Sequence, residues 1–116
     1  MMKRLAIHVD ESAEAMARRF IDAWHRAERG EAVEEHHLSF ESWAGLVGVL
    51  TPRRLELLRH LRRHPAETIA ELARAVGRDY KRVHTDVAAL AAAGLVDRTP
   101  AGQRVDYHEI RARIAV

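Results

Sequence analysis

Residues 67–96 read ETIAELARAVGRDYKRVHTDVAALAAAGLV. Their spacing predicts a helix, a tight turn, a second helix and the start of a strand. Thr68 and Glu71 stand three apart, as in a capping box where the hydroxyl takes an orphan backbone amide and the carboxylate reaches back. Ile69, Leu72, Ala73 and Val76 then share one face. Gly77 follows, where a residue without a β-carbon closes a helix in the left-handed conformation at little cost. Asp79 is placed to cap the next helix, and Val83, Val87, Leu90 and Ala91 repeat at the three-or-four spacing of one buried stripe.

With those side chains inward, the helical period leaves Tyr80, Lys81, His84, Thr85 and Ala88 on the opposite face, with Arg82 on its flank and Arg78 in the turn. A short helix, a turn and a second helix with an outward cationic and polar face form the unit that places side chains in a DNA groove. Downstream, Leu95-Val96-Asp97-Arg98 and Gln103-Arg104-Val105-Asp106-Tyr107 flank the turn signal Thr99-Pro100-Ala101-Gly102, which predicts a β-hairpin. Such a hairpin is the wing of a winged helix, and Arg98 and Arg104 near its tip are candidates for phosphate or minor-groove contact. Upstream, Thr51-Pro52 opens a helix with Leu55, Leu58 and Leu61 on its inner side and His64-Pro65 at its end.

The stretches Leu38–Ser42, Leu50–Leu58, Gly77–Val87 and Ala93–Val96 carry a resemblance to a prokaryotic family of winged-helix DNA-binding proteins related to MarR-type regulators. It covers nearly the whole chain, and the run GRDYKRVHTDV is its specific part. The resemblance implies a small transcriptional regulator. In some members the gene lies beside one for a toxin-like protein of the TumE type, which implies an antitoxin role with a toxin as partner.

The N-terminal part has a different pattern. Leu5, Ile7 and Val9 alternate with Arg4, Ala6 and His8 in a half-buried strand. A helix follows with Met16, Ala17, Phe20, Trp24 and Ala27 as its apolar face, and Leu38 and Phe40 mark a second strand. The two strands should be parallel, because a strand–helix–strand crossover packs back that way. Ile110, Ala112, Ile114 and Val116 alternate in a third strand, able to pair with this chain or with a second copy. Trp43, Leu46, Val47 and Leu50 form an apolar turn or short helix. The expected fold is therefore α+β: a β-α-β unit over 1–49, a winged helix-turn-helix over 50–108, and a strand over 109–116 that completes the N-terminal sheet.

Charge divides along the same line. Residues 1–50 hold 6 Lys+Arg against 9 Asp+Glu, and residues 51–116 hold 13 against 8. A basic half attracts phosphate. A homodimer is expected, since two copies read two half-sites, and the first half is the candidate surface for it. In the bland alternative Phe20, Trp24, Phe40 and Trp43 fill the chain's own core.

Other chemistry finds little footing. The chain has no cysteine, so thiolate metal sites and cysteine nucleophiles are excluded, in keeping with a cytoplasmic protein. His60 and His64 stand four apart on a helix but lack a third ligand at a recognisable spacing, so no metal is expected. No phosphate-cradling glycine loop or paired carboxylates occur, and neither an enzyme nor a cofactor is expected. No run is long and apolar enough for a membrane span. The leading reading is a sequence-specific repressor on double-stranded DNA, acting through Arg78, Tyr80, Lys81, Arg82, His84, Thr85, Arg98 and Arg104. The alternatives are an antitoxin that grips a toxin through its N-terminal half, and a winged helix used only for protein or RNA contact.

Overall fold

Ser12 sets the first helix: its backbone is extended and its hydroxyl accepts from the Ala15 amide at 3.1 Å. In this computed structural model, which describes residues 3–31 and 35–116, the chain is a small α+β protein. In order, its elements are β1 (Arg4–Val9), α1 (Ala13–Glu28), β2 (Glu35–Phe40), α2 (Trp43–Val49), α3 (Pro52–Arg63), α4 (Ile69–Val76), α5 (Tyr80–Ala92), β3 (Asp97–Thr99), β4 (Gly102–Arg104) and β5 (Glu109–Ile114). The chain divides into two units, one of Met1–Gly45 with Tyr107–Val116 and the other of Leu46–Asp106.

The first unit is a parallel sheet in the order β2-β1-β5. The C-terminal strand therefore pairs with its own chain, Leu5 opposite Ile110 and Ile7 opposite Ala112. Alternation along β1 puts Leu5, Ile7 and Val9 on one face, beside Leu38 and Phe40 of β2, and all three are buried. The other face carries Arg4, Ala6 and His8 with Glu35, His37 and Ser39.

That second face is polar, and α1 meets it with polar groups. Arg19 donates to Glu11 at 2.7 Å, and Glu11 Oε2 lies 3.0 Å from His8 Nδ1. His8 Nε2 in turn lies 2.9 Å from Nδ1 of His37. With His8 Nδ1–H donating to the carboxylate, His8 Nε2 is the acceptor for His37 Nδ1–H, which requires the His8 ring to be neutral. Burial, reinforced by the Arg19 charge, lowers the pKa of both histidines. The Glu11 carboxyl is lowered by its hydrogen bond from Arg19.

The apolar side of α1 consequently does not fill the core. Met16 is 43% exposed, Phe20 69%, Ile21 51% and Trp24 60%, and the helix has no buried residue. Trp43 is 52% exposed as well, while Phe40 is half-buried. Of the aromatic side chains that the sequence offers as core, none is fully buried, and only Phe40 is even half-buried. The reason is the alternation of β1 and β2: the sheet face beside α1 carries His8 and His37, which need polar partners.

The second unit packs α3 and α4 against α5, with β4 against α3. Thr51 caps α3 through a 3.3 Å bond from Arg54 N, and Pro52 stands in the first turn. Its buried residues are Leu57, Leu58 and Leu61, so Leu58 and Leu61 face inward as expected, Leu55 is only half-buried, and Leu57 joins the inner side instead. Leu72 and Ala73 from α4 and Val83, Val87 and Leu90 from α5 complete this core. The hairpin is shorter than its apolar members imply. Leu95 N bonds Leu90 O at 2.8 Å, so Leu95 and Val96 serve the exit from α5, and pairing begins only at Asp97.

Candidate nucleic-acid interface

The turn between α4 and α5 is Gly77-Arg78-Asp79. Gly77 adopts φ 66°, ψ 35°, the left-handed conformation in which glycine pays no steric penalty, and its amide bonds back to Arg74 O at 3.2 Å. Thr68 caps the start of α4 through a 3.1 Å bond from Glu71 N. Asp79 caps α5 through a 3.2 Å bond from Arg82 N. Both helix starts are thus fixed by side chains adjacent to the turn or one short helix away from it.

Once α5 buries Val83, Val87 and Leu90, its outer face is dictated by the 3.6-residue period. Tyr80 is 49% exposed, and Lys81, Arg82, His84 and Thr85 are exposed beside it. The Tyr80 and His84 rings lie one turn apart with centroids at 5.9 Å. Lys81 and Arg82 form no ion pair among the described residues, so their charges face solvent. Thr85 Oγ1 donates to the Lys81 carbonyl at 3.0 Å. Its proton is therefore committed to the helix, and what it offers outward is a methyl group and acceptor lone pairs.

Arg78 is placed differently from these five. Its Nη2 donates to Asp86 Oδ2 at 2.7 Å, while Arg54 Nε donates to Asp86 Oδ1 at 3.0 Å. The side chains of Arg78, Asp86 and Arg54 are 15, 16 and 17% exposed. Arg54 Nη1 also donates to the carbonyls of Gly48 and Val49 at 3.1 and 3.0 Å, taking up orphan acceptors at the end of α2. One carboxylate thus ties the turn, the middle of α5 and the start of α3 together. Burial raises the Asp86 pKa, but the hydrogen bonds from Arg78 and Arg54 outweigh it and the net shift is downward. Sequence reasoning missed Asp86 and Arg54, because they are 32 residues apart and no local pattern joins them.

The hairpin holds the remaining cations. Arg98 stands opposite Gln103 and Arg104 opposite Asp97, so strand alternation puts the two arginines on opposite faces of the ribbon. Both are exposed. The middle of β4 is anchored by a bridge to the segment before α4: Gln103 N donates to Ala66 O at 2.7 Å and Ala66 N to Gln103 O at 3.1 Å.

Among the described residues no group of three or more histidines and carboxylates could hold a metal ion, and no helix is long and apolar enough to cross a membrane. A family model, HVO_A0114, matches residues 49–112. No curated protein and no solved structure matches the chain.

Proposed function

The chain belongs to the HVO_A0114 family; from the geometry of its second unit we propose that Leu46–Asp106 is a winged helix-turn-helix, similar to those of MarR-type regulators, that binds double-stranded DNA and regulates transcription. The observation that carries this reading is the outer face of α5. Tyr80, Lys81, His84 and Thr85 lie exposed on a helix whose start and turn are braced from behind by the Arg78–Asp86–Arg54 network. An unbraced surface helix has no need of such a fixture, whereas base readout depends on holding side chains to within fractions of an ångström.

In this proposal α5 enters the major groove. Lys81 donates to the guanine edge, and the Thr85 methyl and acceptor oxygen meet a thymine methyl or a base amino group. Tyr80 and His84 reach neighbouring base edges or sugars. Arg82 on the flank meets phosphate, and Arg98 and Arg104, on opposite hairpin faces, divide between the backbone and the minor groove. Arg78 acts from behind, fixing the turn. Over residues 46–106, Lys+Arg outnumber Asp+Glu by 11 to 7, which favours encounter with a polyanion. Occupation of a promoter would repress it.

A salt titration tests the reading. Binding to a mixed-sequence duplex, followed by fluorescence anisotropy, should weaken with salt at a log–log slope of about −0.9 for each phosphate contacted, or about −5 for half a dozen contacts. Absence of binding at low salt, or binding indifferent to salt, would refute it.

A further inference from the structure

We infer that the apolar stripe of α1 is a self-association surface that pairs with the same stripe of a second copy of this chain. The exposed large apolar side chains of this helix are Met16, Phe20, Ile21 and Trp24. A large apolar side chain presents roughly 150–250 Å² when fully exposed, so at 43, 69, 51 and 60% exposure these four offer about 450 Å² of surface. A monomer's largest patch is about 300–600 Å² and often functional, and a stable interface covers about 800 Å² on each partner around an apolar centre. The stripe is the right size to be that centre, with the rest of the helix as its rim.

The pattern within the stripe is self-complementary. Phe20 lies midway between Met16 and Trp24 and midway between Ala13 and Ala27, all on one side of the helix. A two-fold axis passing near Phe20 and perpendicular to the helix sets two α1 helices antiparallel. It places Met16 of each copy against Trp24 of the other, a thioether on an aromatic ring. Ala13 then faces Ala27, and small residues at both ends let the helices approach closely. The surrounding charges also suit a second copy rather than a partner of strong charge. Glu14 is paired with Arg18 at 2.9 Å and Glu11 with Arg19 at 2.7 Å, while Glu28 accepts the Trp24 Nε1–H at 2.6 Å. The Trp24 polar atom is thereby satisfied at the rim and its ring remains for apolar contact.

This inference needs no DNA, and its test uses none, so its failure and that of the DNA reading are separable. The full chain is measured by sedimentation equilibrium up to about 100 µM, well above the Kd of a specific interface of ordinary size. The wild type should be a dimer whose melting temperature rises with concentration, and Phe20→Glu should be a monomer that still melts cooperatively, at a temperature independent of concentration, because Phe20 is exposed in the single chain. Since the chain has no cysteine, Phe20→Cys under mild oxidation should give a disulfide-linked dimer. Arg18→Cys, on the opposite side of the helix, should not. If Phe20→Glu does not fold, Trp24→Glu and the cross-linking pair decide the matter. A wild type that stays monomeric, a dimer that survives both acidic substitutions, or equal cross-linking from positions 18 and 20 overturns the inference.

Discussion

Arg78 and Asp86, eight residues apart, are joined by a 2.7 Å charge-assisted hydrogen bond that runs from the interhelical turn to the second full turn of α5. The same carboxylate takes a second guanidinium, that of Arg54, at 3.0 Å. Asp86 is therefore the point through which the outer face of α5 is oriented relative to the helices behind it. Its removal leaves two guanidinium groups, each less than a fifth exposed, without their common acceptor.

Asp86→Asn should lower the unfolding free energy by about 2–3 kcal/mol, between the small value of an exposed ion pair and the larger cost of breaking a buried one. Urea unfolding at neutral pH measures it. The pH dependence follows from the lowered carboxyl pKa. The unfolded chain binds the proton more readily than the native one, so the contribution is present above the ordinary aspartate pKa and is lost as pH falls through the native value. Wild type and Asp86→Asn should converge in stability as acid is added.

Arg78→Ala and Arg82→Ala should separate bracing from contact. Arg78→Ala should destabilise the fold and leave the salt slope of DNA binding nearly unchanged. Arg82→Ala should leave stability within about 0.5 kcal/mol and make the slope shallower by about one. Thermal melts and salt titrations of both variants provide the check.

Gly102→Ala should be the most damaging single methyl addition in the hairpin. Gly102 has φ +124°, and a β-carbon there would run into the Ala66 carbonyl and come within 2.6 Å of Glu67 Cα, both backbone atoms that cannot swing aside. A loss of at least about 3 kcal/mol is expected from strain and the broken Ala66–Gln103 bridge. Gly77→Ala is the contrast: φ is +66° with open space around the added carbon, so its cost should be about 1–2 kcal/mol. Chemical denaturation of the two variants side by side tests the difference.

His8 and His37 should make the first unit acid-sensitive near neutrality. Both rings have a lowered pKa, so the unfolded chain binds protons first as pH falls below about 6.5. Stability should be full above that pH and decline as pH falls through it toward the lowered native values. His37→Gln should flatten the decline, as read from melting temperature against pH.

Much of the second unit was legible in the sequence because its signals are local. Thr51-Pro52, Thr68, Gly77 and Asp79 are start and stop residues whose effect lies within one helical turn, and all four act as their chemistry implies. Period-two alternation likewise gave β1, β2 and β5. Three features escaped. The Arg54–Asp86 bond joins residues that no periodicity relates. The register that sends Arg98 and Arg104 to opposite faces depends on where pairing starts, and the Leu95–Leu90 bond delays that start by two residues. The exposure of Phe20 and Trp24 was hidden because an amphipathic stripe reveals that a face seeks apolar company, but not whether that company belongs to the same chain.

Titration of an isotopically labelled chain with a DNA duplex, followed by amide and side-chain NMR shifts, tests the central claim most directly. At low salt the largest perturbations should fall on Tyr80, Lys81, His84 and Thr85, with a second set at Arg98 or Arg104, while Val83 and Leu90 move little. Perturbations confined to the first unit, or none on the outer face of α5 despite binding, would contradict the account.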